Sequence, residues 1–325
     1  MSLVKVVVLD DLHDVVRSNL TAELGKGLDI TVHRLRAGNE EALIDRVADA
    51  EVVATIRARS TLTRTVIESL TRCRLISQLG GKTDHIDLDA ATARGIPVVY
   101  TPNCGDQAVA EFVMASIYAH LRSIPGHAAE MRAGRWLPSV GREARGRTLG
   151  LVGFGPIARR LSEIATACGM RVIAWSPTLH RERAASAGAE AVSFAHCLES
   201  SDVVSLHVPG GASTRALIGE AELAAMKPSA VLVNTSRGSV VDEEALLNAL
   251  RGQRLGGAVL DVFDDEPVHP DNPLLKLPSV IAAPHVAWST EETYAAFVHE
   301  GFTNIQEFLR GSARHIVNSE VLGPS

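Results

Sequence analysis

Short β-branched and apolar runs alternate with stretches of helical periodicity through the first hundred residues. We predict strands at Val4 to Leu9, Ile30 to Leu35, Glu51 to Ile56, Leu75 to Leu79 and Ile96 to Tyr100. This alternation is typical of βαβ units, whose strands pair in parallel. From Ala108 to Leu121 the pattern becomes that of a long apolar helix, and the turn-prone segment before it, residues 101–106, predicts a domain boundary.

A second alternating series follows that helix. Its predicted strands lie near Thr148 to Val152, Arg171 to Trp175, Val203 to His207, Ala230 to Asn234, Gly256 to Val262 and Val280 to Ala282. The series predicts a second doubly wound sheet. A final helical stretch, Ser289 to Arg310, precedes no further strand, so we expect it to pack on the first domain. Two crossings between domains would make a hinge, and the cleft there is the expected active site.

The predicted fold is therefore α/β, with two doubly wound parallel-sheet domains. Residues 1–101 together with 287–325 would form a flavodoxin-like substrate domain, and residues 102–286 an inserted Rossmann dinucleotide-binding domain. A length of 325 residues supports two domains, because single cores rarely grow beyond about 250 to 300 residues. The composition, 46% hydrophobic and 22% charged, is ordinary for a soluble globular protein.

Charge and cysteine usage exclude several classes of partner. The formal net charge is −6 and no clustered excess of Lys and Arg is seen, which argues against nucleic acid. No run is long enough to span a bilayer, and the N-terminus starts on a strand without a leader pattern. The four cysteines are scattered without metal-ligand spacing, which indicates reduced thiols and no metal site. We therefore expect a cytoplasmic protein with a small-molecule substrate.

A glycine turn lies where the strand ending at Val152 passes into a helix. Gly153 would make the tight turn, Gly155 would let phosphates approach the backbone, and Ala158 would keep helix and strand close. Glycine turns are common, but this one follows an apolar strand and opens an amphipathic helix within a βαβ unit. That context favours a dinucleotide site over a purely structural turn.

The choice between NAD(H) and NADP(H) stays open. About 20 residues after the glycines, an NAD-specific site usually supplies an acidic residue to the ribose, and this chain has Ser176 there. His180, Arg181 and Arg183 follow as candidate partners of a 2′-phosphate. Alternatively, these three side chains are simply solvated on the first turn of a helix.

Three later segments place polar residues at strand ends, where open α/β sheets bind ligands: 233–238, 260–267 and 283–288. Together with the glycine turn and the segments 84–88, 108–111 and 201–209, they resemble the D-isomer-specific 2-hydroxyacid dehydrogenase family over nearly the whole chain. The resemblance implies that Arg237 binds the substrate, that Glu266 pairs with His285, and that His285 is the acid/base.

Reduction of a 2-oxo acid calls for these residue types. Negative charge develops on the carbonyl oxygen as hydride arrives, and a guanidinium can bind the substrate in a bidentate way and stabilise that charge. Histidine can donate the required proton near neutral pH, and a neighbouring carboxylate fixes the ring. The alternatives are a satisfied strand-end histidine at His285, a surface acid at Glu266 and a helix-flanking charge at Arg237.

The resemblance also implies a set of cofactor contacts. These are Gly153, Phe154, Gly155, Pro156, Ile157, Ser176, His207, Val208, Pro209, Thr214, Thr235, Ser236 and Asp261. Thr235 and Ser236 would line the nicotinamide side, and residues 207–209 would wall the adenosine part. Asp261 would contact the nicotinamide carboxamide, or it is instead a buried strand-end aspartate bonded to backbone.

The substrate carboxylate would be held by a loop of the first domain, with Leu79, Gly80, Gly81 and Lys82 as the candidate residues. Lys82 stands where relatives commonly have a glycine, so it either binds a second anionic group or points to solvent. Pro156 stands where many relatives carry an arginine or another polar residue, which removes one phosphate contact.

The expected activity is hydride transfer between NAD(P)H and a small 2-oxo acid, which yields a D-2-hydroxy acid. The alternative is a non-catalytic NAD(H)-sensing binding protein on the same fold. The resemblance further implies a homodimer, formed through the helix Ala108 to Leu121 and the neighbouring segment to Trp136.

Overall fold

A computed structural model describes residues 3–57, 59–102 and 104–322. The chain divides into two compact units: one holds the described residues up to Cys104 and from Thr290 onward, and the other spans Gly105–Ser289. The predicted boundaries lie three residues earlier at each crossing, 101 against 104 and 287 against 290. Residues 1–2 and 323–325 of the predicted first domain, and Asn103 of the predicted crossing segment, lie outside the described residues.

Twelve strands are assigned in the described part of the chain, five in the first unit and seven in the second. They are β1 (Val4–Leu9), β2 (Leu28–Val32), β3 (Val52–Ile56), β4 (Leu75–Leu79), β5 (Val98–Tyr100), β6 (Thr148–Val152), β7 (Arg171–Trp175), β8 (Glu190–Ala191), β9 (Val203–Leu206), β10 (Val231–Asn234), β11 (Gly257–Leu260) and β12 (Val280–Ala282). The two-residue β8 was not predicted, because so short an element carries no periodic signal.

Twelve α-helices accompany these strands in the same described residues. They are α1 (Val15–Asn19), α2 (Glu40–Val47), α3 (Arg64–Ser69), α4 (Leu88–Ala93), α5 (Asp106–Leu121), α6 (Ile124–Arg132), α7 (Pro156–Ala167), α8 (Arg181–Ala185), α9 (Phe194–Ser200), α10 (Glu220–Ala225), α11 (Glu243–Arg251) and α12 (Glu291–Leu309). None of these described helices has both the length and the apolar character needed to cross a membrane.

The first unit contains a parallel sheet in the order β2-β1-β3-β4-β5. All residues of β3 and β4 are buried, as expected for central parallel strands covered on both faces. Helix α12 packs on β4, where a Cβ on Gly301 would come within 2.6 Å of the Leu79 side chain. The glycine therefore sets the close approach of the last helix to this sheet.

The second unit contains a parallel sheet in the order β12-β11-β10-β9-β6-β7-β8. The strand order reverses between β6 and β9, and ligands of doubly wound sheets bind at the carboxyl ends of the strands beside such a reversal. The predicted fold class, α/β with two doubly wound parallel sheets, is confirmed. Helix α5, the long apolar helix of the sequence, packs against α7 within this unit.

Candidate active site

The glycine turn of the second unit joins β6 to α7 and is fixed by both neighbouring strands. The Gly153 N–H donates to the Trp175 carbonyl (2.7 Å), and the His207 N–H donates to the Val152 carbonyl (2.7 Å). Gly153 has φ +93°, and a Cβ there would lie 2.7 Å from the carbonyl carbon and oxygen of His207. Only glycine fits this position, because both the backbone conformation and the space exclude a side chain.

The start of α7 fits a pyrophosphate. Gly155 precedes the helix, no side chain caps its first turn, and a Cβ on Gly155 would meet no atom within 4 Å. Pro156 lacks an N–H, but the amides of Ile157 and Ala158 need a partner at this helix end, where anions are stabilised. The residues present therefore suit the phosphates of a dinucleotide. Phe154 is buried and anchors the turn in the core.

The ribose end of the predicted site carries two arginines with different environments. Ser176 is half-buried just after β7, and no acid stands at that position. The Arg183 guanidinium donates to the Phe154 carbonyl (3.3 Å), which places it beside the glycine turn. Arg181 is exposed at the first position of α8. The structure thus brings one of the two arginines next to the phosphate-binding turn.

The segment after β9 lies against the same turn. Burial lowers the pKa of His207 to about 4, so its imidazole is neutral at physiological pH, and Nε2 lies 2.9 Å from Ser205 Oγ. Val208 is buried, Pro209 is exposed, and the Thr214 hydroxyl donates to the Pro209 carbonyl (2.7 Å). These contacts fix the backbone that Gly153 approaches, so residues 207–209, which were predicted to line the adenosine part of the site, form one segment beside the glycine turn.

The arginine loop, residues 234–238, follows β10 and is held by a residue that sequence reasoning missed. Asn234 is 1% exposed, and its Nδ2 donates to the Arg237 carbonyl (2.9 Å) while its Oδ1 accepts from the Ser236 N–H (3.0 Å) and hydroxyl (2.9 Å). Arg237 Nη1 donates to the Ser236 carbonyl (2.7 Å). The Thr235 hydroxyl is buried and finds no hydrogen-bond partner among the described residues, so its hydrogen-bonding capacity is unused.

Two glycines let the arginine loop pack closely, and neither was predicted as a site residue. A Cβ on Gly210 would lie 2.8 Å from Arg237 Cγ. A Cβ on Gly238 would lie 1.9 Å from the carbonyl carbon of Phe263, which belongs to the loop carrying Glu266. Because Gly238 has no side chain, the arginine loop lies directly against the loop that carries Glu266, and Gly210 leaves room for the Arg237 side chain. The sequence signal for them was their position, since Gly238 ends one predicted site segment and Gly210 directly follows another.

Glu266 and His285 form the pair that the sequence predicts. His285 Nδ1 lies 2.7 Å from Glu266 Oε2, and the Phe263 N–H donates to Glu266 Oε1 (3.1 Å), so both carboxylate oxygens are engaged. Burial acts to raise the pKa of Glu266, but the bonds from His285 and Phe263 and the charge of Arg237 outweigh it and hold that pKa below its usual range. The carboxylate is therefore ionised at neutral pH and orients the imidazole.

His285 itself has a left-handed backbone, with φ +56°, a region that non-glycine residues seldom occupy. The two residues that follow donate their N–H groups to Asp261: Val286 to Oδ1 (2.8 Å) and Ala287 to Oδ2 (2.9 Å). Burial raises the pKa of Asp261 despite these two hydrogen bonds. The geometry matches the alternative of a buried aspartate bonded to backbone, and the nicotinamide contact stays a prediction.

The predicted substrate loop belongs to the first unit and follows β4. Gly80 has φ +154° and its carbonyl accepts from the Thr101 N–H (3.2 Å). Leu79 is fully buried, and its carbonyl accepts from the Arg57 N–H (3.2 Å). Gly81 and Lys82 are exposed, and Lys82 makes no ion pair or hydrogen bond within the described residues.

The described side chains contain no group of three metal-ligating residues placed to hold a metal ion.

Comparisons with known proteins show which proteins the chain is similar to. Residues 114–287 match the model of the family described as D-isomer specific 2-hydroxyacid dehydrogenase, NAD binding domain. The chain is 37% identical over 321 residues to a D-3-phosphoglycerate dehydrogenase of Methanocaldococcus jannaschii, which covers 97% of this chain and 60% of that enzyme. It therefore spans only part of that relative's length.

Two further relatives are matched over most of their length. A glyoxylate reductase of Aeropyrum pernix is 37% identical over 292 residues, 87% of each chain. A solved structure described as a D-3-phosphoglycerate dehydrogenase oxidoreductase from Ralstonia solanacearum superimposes with a TM-score of 0.87 at 33% identity, over 98% of each chain. The likeness thus includes both units, and it is strong in sequence and in fold.

Proposed function

Because the chain belongs to the D-isomer specific 2-hydroxyacid dehydrogenase family, we propose that it catalyses reversible reduction of a small 2-oxo acid to a D-2-hydroxy acid. The comparisons confirm the family recognised in the sequence. They also confirm the class of enzyme, oxidoreductases acting on CH–OH groups, and the cofactor, NAD(H) or NADP(H). The observation that carries the proposal for this chain is the His285–Glu266 pair, at 2.7 Å, next to the arginine loop.

His285 moves the proton. Its Nδ1 is bonded to Glu266, while Nε2 makes no hydrogen bond within the described part of the chain and is the nitrogen available to substrate. In reduction, Nε2–H donates to the carbonyl oxygen as the C–O double bond becomes a hydroxyl; in oxidation, neutral Nε2 accepts the hydroxyl proton. The ionised Glu266 fixes the ring and stabilises the imidazolium.

Arg237 binds and orients the oxo acid. Its aliphatic stem packs on Gly210 and one guanidinium nitrogen is bonded to the Ser236 carbonyl, so the fork is held by its own loop. A guanidinium fixed in this way can pair with the carboxylate of a 2-oxo acid and stabilise the negative charge that develops on the carbonyl oxygen. Bound reduced nicotinamide supplies the hydride in this reaction.

The turn at Gly153 would hold the pyrophosphate at the start of α7, and Thr235 and Ser236 would contact the nicotinamide side. Ser176 supplies no carboxylate to repel a 2′-phosphate, and Arg183 lies beside the turn, so we propose that both NADH and NADPH are accepted. The loop of residues 79–82 is proposed to contact the substrate carboxylate through its backbone.

We also propose a cytoplasmic homodimer, in which a second copy of the chain covers the segment after α5. Several large apolar side chains in residues 124–140 are exposed, among them Trp136 at 81% and Val140 at 100%. Exposed apolar groups gathered in one segment are typical of an interaction surface. Light scattering should give twice the chain mass of 34.6 kDa, and Trp136→Glu with Val140→Glu should give the single mass. A monomeric wild-type protein would contradict this proposal.

The activity is tested by following NADH and NADPH oxidation with a panel of small 2-oxo acids that includes glyoxylate and hydroxypyruvate. His285→Ala should lower kcat by about 10² or more, the usual scale for loss of a general acid. His196→Ala is the matched control, because His196 is exposed on α9 of the same unit. Near-full turnover in His285→Ala would remove His285 from the acid/base role. NADH binding without turnover of any oxo acid would contradict the enzyme and favour a sensing protein.

A further inference from the structure

We propose that Asp261 is a positioning residue for His285: its carboxylate holds the backbone that follows the histidine and thereby keeps the imidazole against Glu266. The inference rests on the proposed role of His285 as the acid/base. It differs from a cofactor contact, because Asp261 would act through another residue of the protein.

Both carboxylate oxygens of Asp261 accept a hydrogen bond from the protein. Oδ1 accepts from Val286 and Oδ2 from Ala287, at 2.8 and 2.9 Å, and the residue is 1% exposed. Asp261 is itself anchored, since its N–H donates to the Asn234 carbonyl (3.0 Å) at the end of β10. The neighbouring Ala283 N–H donates to the Leu260 carbonyl (2.9 Å). The segment carrying His285 is thus attached to the end of β11 on both sides of the histidine.

His285 needs such an attachment because of its backbone. A φ of +56° is unfavourable for a side chain with a Cβ, and such conformations persist only where surrounding contacts enforce them. The bonds from Val286 and Ala287 to Asp261 fix the chain immediately after the histidine. The Trp288 indole N–H, which donates to the His285 carbonyl (3.0 Å), closes the same short segment on itself. These contacts set the direction in which the imidazole leaves the backbone.

A carboxylate suits this task better than any other side chain of its size. Two consecutive N–H groups require two acceptors, and an ionised aspartate has two acceptor oxygens and no donor. In Asp261→Asn one oxygen would be replaced by an NH₂ group facing a backbone N–H, so one hydrogen bond would become a contact between two donors. The substitution keeps the size of the side chain and removes the acceptor function at one position.

The first test is a double-mutant cycle between Asp261→Asn and His285→Ala, with kcat measured at the pH optimum of each variant. Asp261→Asn alone should lower kcat by about 10- to 100-fold, the scale expected when a reacting group is displaced by about 1 Å. In the His285→Ala background the same substitution should cause no further loss, because it acts through the missing imidazole. The dissociation constant of NADH should stay within about twofold.

The opposite pattern would overturn the inference. If Asp261→Asn lowers kcat by the same factor in both backgrounds, Asp261 does not act through His285. If it weakens NADH binding by tenfold or more and leaves kcat unchanged, Asp261 is a nicotinamide contact instead. Both results would leave the proposed reaction standing, whereas a wild-type protein that turns over no oxo acid would remove the proposed function.

The second test needs no activity. Hydrogen exchange at the Val286 and Ala287 amides should be slow in the wild-type protein, although neither residue lies in a helix or strand, and at least tenfold faster in Asp261→Asn. The control is Asp202→Asn, because Asp202 also accepts a backbone N–H, from Thr148 (2.8 Å). This contact lies at the edge of the sheet where the strands begin, whereas Asp261 lies where β11 ends. Unprotected amides in the wild-type protein, or equal exchange in the wild-type and Asp261→Asn proteins, would refute the inference.

Discussion

Acidification should destabilise the second unit through His207, a half-buried imidazole beside the glycine turn. Burial lowers the pKa of His207 from 6.5 to about 4 in the folded protein. Between about pH 6.5 and pH 4, the unfolded chain therefore binds a proton at this histidine, whereas the folded chain does not. Stability from the neutral imidazole is fully present above pH 6.5, falls as the pH decreases through that range, and levels off below about pH 4.

The magnitude follows from the two pKa values. The full difference between 6.5 and about 4 corresponds to about 3.4 kcal/mol of unfolding free energy. Between about pH 7.5 and about pH 5 the linkage relation gives a loss of about 2 kcal/mol from His207 alone. Burial and the charge of Arg142 also lower the pKa of His120 in the same unit, so the wild-type protein should lose more than this.

The three tryptophans, Trp136, Trp175 and Trp288, all lie in the second unit, so indole fluorescence reports its unfolding in urea. His207→Gln removes the titrating group and keeps a polar side chain. We expect the stability loss between about pH 7.5 and about pH 5 to be smaller in this variant by about 2 kcal/mol. His196→Gln, on an exposed surface of α9, is the control and should lose as much as the wild-type protein. An equally steep loss in His207→Gln would refute the reasoning.

Four further predictions concern the site. Arg237→Ala should raise KM for the oxo acid and lower kcat, with kcat/KM reduced by about 10² or more, and an unchanged kcat/KM would contradict its role. Lys82→Gly should raise KM by about tenfold for oxo acids with a second anionic group and leave monoanionic ones unchanged; equal KM values would mean that Lys82 only meets solvent. The kcat/KM with NADPH should lie within about tenfold of that with NADH, and Ser176→Asp should restore a strong NADH preference; a wild-type preference for NADH would argue against Arg183 as a phosphate partner. Gly153→Ala should lower the unfolding free energy by about 1–3 kcal/mol in urea titrations and weaken NADH binding, because its Cβ would meet the His207 carbonyl; wild-type values for both would contradict the tight turn.

Hydrophobic patterning predicted the order of the elements because every central strand of a parallel sheet is an apolar run bounded by turns. Thr148–Val152 and Leu75–Leu79 were predicted with their observed bounds. The second strand was placed too late, at Ile30 to Leu35, whereas β2 spans Leu28–Val32. Its register is set by pairing with β1, which starts at Val4 opposite Leu28, and Leu35 lies outside the sheet with 68% of its surface exposed. Pairing partners are not visible in a local pattern, so the ends of strands are the uncertain part.

For the site, the sequence predicted the proposed reacting residues but not the residues that support them. Arg237, Glu266 and His285 could be named because the segments that carry them resemble those of the family, and because reduction of an oxo acid calls for these residue types. Asp261 was assigned to the cofactor from its position in the family pattern, whereas in the structure its carboxylate accepts from the Val286 and Ala287 N–H groups.

The supporting residues were missed for a related reason. Asn234 acts on the backbone of its own loop, and Gly238 acts through the side chain it lacks. Such roles depend on where distant backbone segments meet, and residue type alone carries no information about that. The proposed reacting groups therefore follow from the family resemblance, whereas their positions depend on backbone contacts that only the folded chain defines. The decisive tests are those that separate loss of a proposed reacting group from loss of its support.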